Sequence, residues 1–142
     1  MELGFRLWII RLVSIVRAGM KKILIIDDDV DLNISLTEFL EDEGFQVFSA
    51  HNGKQGLKLV DSEQPDLVIT DIVMPDMDGT EVVINLGGRD TEHPPKVIAM
   101  SGGGRISGKD YLSFVKNFKV DCVFEKPFEV EELLSSIKSL LA

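Results

Sequence analysis

Cysteine, histidine and basic residues are all scarce in this chain. The single cysteine, Cys122, leaves no partner for an internal disulfide and no cysteine cluster for zinc. The two histidines, His51 and His93, lie far apart in polar surroundings, and we interpret both as surface residues. Lysine and arginine total 15 against 24 acidic residues, which gives a formal net charge of -9.

The basic residues that are present cluster at the start of the chain. Residues 1–22 carry a net charge of +4, so the remaining residues carry -13. A domain that acidic lacks the basic footprint that nucleic-acid binding requires, and we expect no nucleic-acid partner. The same acidity suits a divalent cation or the basic surface of a partner protein.

Long apolar runs are also missing. Residues 3–16 are rich in apolar side chains, but Arg6 and Arg11 interrupt them, and the uninterrupted run is too short to span a bilayer. At helical spacing one face collects apolar residues, which would suit a partner or a membrane surface: Phe5, Trp8, Ile9, Leu12 and Val16. Because the sequence around Met20 resembles a natural protein start, residues 1–20 are equally explained as an upstream extension without a role. Membrane contact by residues 1–19 is not expected.

From residue 21 to 142 the pattern alternates between two kinds of segment. Short β-rich apolar runs lie at 22–26, 45–50, 66–70, 96–100 and 121–124, and helical patterns lie at about 31–43, 53–63, 79–86, 108–117 and 128–141. Five strand–helix units predict an α/β domain with a doubly wound, five-stranded parallel sheet and five helices. The 44% hydrophobic content is enough for a core in one domain of this length.

Acidic residues follow two of the predicted strands. Val68 to Thr70 is an apolar run that ends in Asp71, and Ile23 to Ile26 ends in Asp27-Asp28-Asp29. Ser101 and Lys126 also fall at the carboxyl ends of predicted strands. Because ligands of open parallel sheets bind outside those ends, these side chains are candidates for one acidic pocket. Asp31 is the expected cap of the following helix, and Asp29 is interpreted as a cap or a surface residue.

Four motifs in order make residues 21–142 resemble the receiver domain of response regulators, the phosphoacceptor module of two-component signalling. The motifs are Ile25-Ile26-Asp27-Asp28, the stretch from Asp71 through Met74-Pro75 to Gly79, Ser101 after a strand, and Lys126-Pro127-Phe128. The resemblance implies the flavodoxin-like strand order 2-1-3-4-5 and a stand-alone, single-domain regulator of the bacterial cytoplasm.

The resemblance also assigns roles to these residues. It implies that Asp71 accepts a phosphoryl group from a phosphohistidine, with Mg²⁺ or Mn²⁺ held by Asp27, Asp28, Asp71 and the backbone carbonyl of Val73. Carboxylate attack on a phosphoryl group brings negative charges together, which is the physical reason for a hard cation with oxygen ligands. Ser101 and Lys126 would bind phosphoryl oxygens, and a cis Lys126–Pro127 bond is expected.

The chain departs from the family pattern at several positions. Many receivers carry a switching aromatic three residues before the lysine, where this chain has Val123, followed by Phe124. Two positions influence dephosphorylation in the family that this chain resembles. Here they are occupied by Val73 and Gly103, and neither offers a polar side chain to orient water. We therefore predict slow self-dephosphorylation, and no steady enzymatic turnover.

Two other classes of function compete with the receiver hypothesis. One is a Mg²⁺-dependent phosphohydrolase with an aspartate nucleophile, for which Asp27 and Asp29 have the nucleophile and acid/base spacing. The other is a docking module whose site is vestigial.

As a receiver, the protein is expected to meet a sensor histidine kinase or a histidine phosphotransfer protein, and a downstream protein that the sequence does not identify. Residues 101–128 are the expected partner surface, because Ser101 and Lys126 connect them to the phosphoryl group.

Overall fold

The computed structural model of the protein describes residues 2–72, 79–102 and 117–142. The helices are α1 (Glu2–Ala18), α2 (Val30–Asp42), α3 (Gly53–Glu63), α4 (Gly79–Gly87) and α5 (Val130–Leu141). The strands are β1 (Lys22–Ile26), β2 (Gln46–Ala50), β3 (Leu67–Asp71), β4 (Lys96–Gly102) and β5 (Cys122–Lys126). Each predicted strand is present, with ends shifted by two residues at most. The helix predicted at about 108–117 lies almost wholly outside the described residues.

All five strands pair in parallel, in the order β2-β1-β3-β4-β5. The predicted doubly wound order is therefore confirmed. β1 and β3 are buried on both faces, as their unbroken apolar sequences require in a sheet covered by helices. The edge strands β2 and β5 are only partly buried, and both carry polar residues among the apolar ones.

Helices cover the sheet on both faces and create two apolar clusters. Val60 of α3 and Val82, Val83 and Leu86 of α4 pack on one face, against alternate residues of the strands. Leu36 and Leu40 of α2 and Leu133 and Ile137 of α5 pack on the other face. This alternation follows from the two-residue period of a strand, which sends successive side chains to opposite faces. The two clusters fix the sheet as a rigid platform for the loops at its carboxyl edge.

The ends of α2 show one correct and one wrong prediction. Asp29 is the N-cap, since its carboxylate accepts a hydrogen bond from the backbone N–H of Leu32 at 3.1 Å. The expectation that Asp31 caps this helix is wrong, because the helix begins at Val30 and places Asp31 in its first turn. In that position its negative charge still interacts favourably with the helix dipole. At the other end Gly44 has a φ of 96°, the left-handed conformation that glycine adopts most readily.

The amino-terminal segment forms a helix with no counterpart in the alternating pattern. Residues 2–15 of α1 are all exposed, including the large apolar side chains Phe5 and Trp8. Among the described residues, no helix is long and apolar enough to cross a membrane.

Candidate functional site

Two buried carboxylates lie side by side at the carboxyl edge of the sheet. β1 and β3 are neighbours, and their register pairs Ile26 with Thr70, so Asp27 and Asp71 are the next residues on the two strands. Asp27 is 0% exposed and Asp71 is 7% exposed. Ionised groups are rarely buried unless another charge compensates them, so this pair requires a cation nearby.

Asp28 adds a third carboxylate to this pair from the exposed side. One carboxylate oxygen from each of Asp27, Asp28 and Asp71 lies within 4.8 Å of the other two. Three carboxylates provide the oxygen ligands that hard divalent cations prefer, and Mg²⁺ completes its octahedron with water. The donor set therefore fits Mg²⁺ or Mn²⁺ and contains none of the soft ligands that select zinc or copper.

Lys126 brings a positive charge to the same place from the far edge strand. Its Nζ lies 2.7 Å from Oδ2 of Asp27 and 3.2 Å from Oδ2 of Asp71. The two hydrogen bonds join residues 99 and 55 positions apart in the sequence. The Lys126–Pro127 peptide bond is cis, as expected. One ammonium group between two buried carboxylates leaves the cluster with a net negative charge.

The charges of this cluster alter one another's ionisation. Burial raises the pKa of Asp27 above its ordinary 3.8, and the hydrogen bond from Lys126 offsets only part of that increase. Burial alone would lower the pKa of Lys126, but its hydrogen bond to Asp27 and the charges of Asp27 and Asp71 outweigh this effect and raise it. Lys126 is therefore stabilised in its charged form, whereas burial disfavours the ionised form of Asp27.

Asn33 supports the site, a role that was not predicted from the sequence. Its side chain is buried in α2, and its Nδ2 donates to the backbone carbonyls of Asp27 at 3.2 Å and of Ala50 at 3.0 Å. The backbone N–H of Asp27 also donates to the carbonyl of Ala50. Asn33 thus ties the loop after β1 to the end of β2. An amide six residues after an aspartate is too common a pattern to have revealed this contact.

Gly79, the first residue of α4, lies directly against the end of β3. Its N–H donates to the carbonyl of Ile72 at 2.6 Å, and a Cβ added to it would lie 1.7 Å from the carbonyl oxygen of Asp71. Only glycine fits at this approach. The sequence predicted a helix from about residue 79, and the structure shows that the missing side chain of Gly79 lets α4 begin beside Asp71.

The remaining predicted residues divide into those the structure describes and those it does not. Ser101 is buried, 2% exposed, at the end of β4, one residue beyond Met100, which pairs with Asp71. Val73 and Gly103 lie outside the described residues, as do most residues of the loop after β4. Lys126 and Asp28 are brought to Asp27 and Asp71 as predicted.

Val123 occupies the position of the aromatic residue that many receivers carry. It is partly buried and packs with the α3 and α4 cluster, whereas Phe124 lies on the opposite face. Phe124 contacts Phe128 edge to face, with ring centroids 5.7 Å apart. The neighbouring aromatic residue therefore does not take the place of the missing one.

The phosphohydrolase alternative depended on Asp29 as an acid/base group. The carboxylate of Asp29 instead caps α2, and its backbone N–H donates to Oδ1 of Asp27 at 2.9 Å. This cap directs Asp29 to a structural contact, which weakens the phosphohydrolase hypothesis.

Comparison with known proteins agrees with this geometry. The family described as response regulator receiver domain matches residues 23–138. The chain is 36% identical over 121 residues to sporulation initiation phosphotransferase F of Bacillus subtilis, with 85% of this chain and 94% of that protein covered. It is 34% identical over 122 residues to response regulator MprA of Mycobacterium tuberculosis. That match covers 84% of this chain but only 50% of the length of MprA.

Solved structures give the same result. A receiver domain protein described as CheY-like, from Methanospirillum hungatei, superimposes with a TM-score of 0.72 at 32% identity, covering 85% of this chain and 93% of that one. Sequence, strand order and the acidic cluster therefore lead to one assignment: this chain belongs to the response regulator receiver domain family.

Proposed function

We propose that this protein is a phosphoacceptor response regulator that takes a phosphoryl group from a phosphohistidine onto Asp71, with Mg²⁺ or Mn²⁺ held by Asp27, Asp28 and Asp71. The observation that carries the proposal is the junction of Asp27, Asp71 and Lys126. Two buried carboxylates share one ammonium group, although they are 44 positions apart in the sequence. Packing alone does not explain such a cluster, because apolar residues would fill the same space without the desolvation penalty of buried charges.

The chain's own residues account for the transfer step. An oxygen of Asp71 attacks phosphorus and forms the new P–O bond, while the P–N bond to the donor imidazole breaks and its electron pair stays on nitrogen. Lys126 can rotate its ammonium from Asp71 to a phosphoryl oxygen, because Asp27 continues to hold it at 2.7 Å. The buried Ser101 hydroxyl at the end of β4 can donate to another oxygen. The bound cation would offset the charge that develops between carboxylate and phosphoryl group.

Signalling by this protein then takes place through contacts with other proteins. The donor is a sensor histidine kinase or a histidine phosphotransfer protein, and the signal passes to a downstream protein through the surface of residues 101–128. Phosphorylation shifts a population between two conformations, and the partner must bind them differently. We place the protein in the bacterial cytoplasm and treat residues 21–142 as the receiver. Support comes from the family and from bacterial relatives that include a phosphotransferase and a regulator.

The first test is the intact mass after incubation with Mg²⁺ and acetyl phosphate. Wild-type protein should gain the mass of one phosphoryl group, and Asp71→Asn should gain none. The matched control is Asp42→Asn, the same change at an exposed position in α2, which should be phosphorylated like wild type.

A calorimetric titration with Mg²⁺ tests the cation ligands separately. Asp28→Asn should weaken Mg²⁺ binding at least about tenfold, because it removes one of three carboxylates without disturbing the fold. In the mass measurement, a phosphoryl adduct that persists in Asp71→Asn would refute the assignment of Asp71 as the acceptor. In the calorimetric titration, unchanged Mg²⁺ affinity in Asp28→Asn would refute the assignment of Asp28 as a ligand of the cation.

A further inference from the structure

The helix α1 exposes an apolar surface that no residue described by the structure covers. Nine of its large apolar side chains between Leu3 and Ile15 are at least 40% exposed, including Trp8 at 59%. The Phe5 and Trp8 rings stack with centroids 6.3 Å apart, so they form one continuous aromatic surface. Folded proteins rarely expose contiguous apolar area of this kind unless it contacts another surface.

The apolar side chains of α1 are arranged on a broad face. At 100° per residue, one arc of roughly 120°, bounded by Arg11 on one side and Glu2 on the other, contains only apolar residues, and Leu12 lies at its centre. The residues of this arc whose side chains are described are Phe5, Trp8, Ile9, Leu12 and Ile15. The rest of the helix surface is mixed, with Arg6, Arg11 and Ser14 among the apolar side chains of Leu3, Leu7 and Ile10. A helix with such an arc suits a membrane interface, where its aromatic residues lie below the headgroups and its long arginine side chains reach them.

The length of α1 decides between spanning and lying flat. Its 17 residues extend for about 26 Å, which is less than the ~30 Å hydrocarbon core of a bilayer. Three arginines within the helix, Arg6, Arg11 and Arg17, also oppose insertion across the core. A helix with this length and these charges is suited to the bilayer surface rather than to its interior.

A second copy of the chain fits the apolar face less well than a membrane. A two-stranded coiled coil uses a narrow seam sustained over at least three or four heptads. Helix α1 has fewer than three heptads, and its apolar arc is much wider than such a seam. Pairing would therefore leave much of the arc exposed, whereas a bilayer surface covers all of it.

The sign of charge identifies the kind of membrane. Residues 1–22 carry +4 while the rest of the chain carries -13. An anionic bilayer attracts the first part and repels the second, which orients the molecule with α1 toward the lipid. The chain passes from α1 into the amino end of β1, and Asp71 lies at the opposite, carboxyl edge of the sheet. The acceptor site thus stays accessible while the helix is bound.

We propose that α1 binds the surface of anionic phospholipid bilayers and holds the receiver there with its acidic site facing away from the lipid. The sequence alone did not favour membrane contact by residues 1–19. The exposure of the described side chains of the apolar arc is the structural observation that changes this interpretation. The proposal is independent of phosphorylation.

The test is sedimentation of the full chain with vesicles of phosphatidylcholine and phosphatidylglycerol, compared with phosphatidylcholine alone. Two variants form a matched pair, because each adds one glutamate at an exposed position of α1. Leu12→Glu places it in the centre of the apolar arc, and Ser14→Glu places it beside the arginines. Leu12→Glu should weaken binding to the anionic vesicles more than about tenfold, because it also removes an apolar side chain that the bilayer would cover. Ser14→Glu should cost about fivefold, the contribution of one charge near the surface.

Both salt and neutral lipid provide further checks. Binding should weaken as the ionic strength rises, because surface charge is screened. Three results would overturn the proposal: no sedimentation with anionic vesicles at low ionic strength, equal binding to neutral vesicles, or equal losses in the two variants. A wild-type dimer in analytical ultracentrifugation that Leu12→Glu converts to a monomer, without vesicle binding, would assign the face to a second copy instead.

Discussion

Aspartates at the two ends of the sheet are in opposite situations. At the amino end, Asp66 accepts a hydrogen bond from the backbone N–H of Lys22 at 2.7 Å, and Asp121 accepts one from the N–H of Val97 at 2.8 Å. At the carboxyl end, Asp27 and Asp71 face each other across one lysine. The amino ends of parallel strands present N–H groups to a carboxylate, and the carboxyl ends present carbonyls that repel it.

The same contrast explains why an amide is needed at the carboxyl end. Asn33 donates to two carbonyls there, which reverses the direction of the bonds made by Asp66 and Asp121. One end of the sheet is thus neutralised by its own backbone. The other end keeps unbalanced negative charge, which is what a cation-dependent phosphoacceptor site requires.

The largest effect on stability is expected from removing the shared lysine. Lys126→Met should lower the free energy of unfolding without metal by about 3 kcal/mol, because two carboxylates then lose their compensating charge. Urea denaturation with and without Mg²⁺ measures this loss, and Mg²⁺ should recover more stability in the variant than in wild type.

Lys138→Met is the matched control for this change. Lys138 is exposed, and its Nζ lies 4.0 Å from Oε2 of Glu43. A surface ion pair at this distance contributes little to the free energy of unfolding. Its loss should cost less than about 0.5 kcal/mol. Equal losses in the two variants would contradict the unbalanced charge at the carboxyl end.

The next largest effect concerns Asn33. Asn33→Leu should destabilise the protein by about 2 kcal/mol, because two backbone carbonyls lose a buried donor. The same change should weaken Mg²⁺ binding, since the loop that carries Asp27 is no longer tied to β2. Thermal unfolding and calorimetry measure the two effects.

Thr37 offers a control on the same helix. Its Oγ1 is buried and has no hydrogen-bond partner among the residues that the structure describes. Thr37→Val should therefore leave stability unchanged or raise it, and should not alter Mg²⁺ affinity. If Asn33→Leu lost stability while keeping wild-type Mg²⁺ affinity, Asn33 would be structural only.

A smaller effect is expected at the amino end of the sheet. Asp121→Asn replaces a charged acceptor of the Val97 N–H by a neutral one and should cost about 1 kcal/mol. Mg²⁺ affinity and phosphorylation by acetyl phosphate should remain at wild-type levels. A change in either would show that the two ends of the sheet are coupled.

The smallest effect is a pH dependence. Because the folded-state pKa of Asp27 is raised above 3.8, the folded protein binds more protons than the unfolded chain between those two values. The contribution of Asp27 to stability therefore falls as pH rises from 3.8 through its folded pKa. Metal-free urea denaturation at a series of pH values should show this slope, and Asp27→Asn should remove it. An identical slope in wild type and variant would contradict the raised pKa.

Prediction from sequence succeeded where a local pattern reports directly on structure. The apolar runs of β1 and β3 predicted central strands of a parallel sheet. Right-handed crossovers restricted the topology, and the resemblance to receiver domains supplied the strand order. The cap of α2 was predicted less well, because Asp29 and Asp31 are equally good capping residues and the start of the helix decides between them. Asn33 was missed because its two partners, Asp27 and Ala50, come together only when β1 and β2 pair.

The sequence by itself determined the strands, the two apolar faces and the set of acidic residues, since each depends on the periodicity or order of neighbouring residues. Only the tertiary structure decided how the charges balance. It placed Lys126 of β5 beside Asp27 of β1, although two strands lie between them. It also brought the start of α4 at Gly79 into contact with Asp71 and left the apolar arc of α1 exposed. The physical reason is that electrostatic energy and burial depend on distances between residues far apart in the chain, which no local pattern encodes.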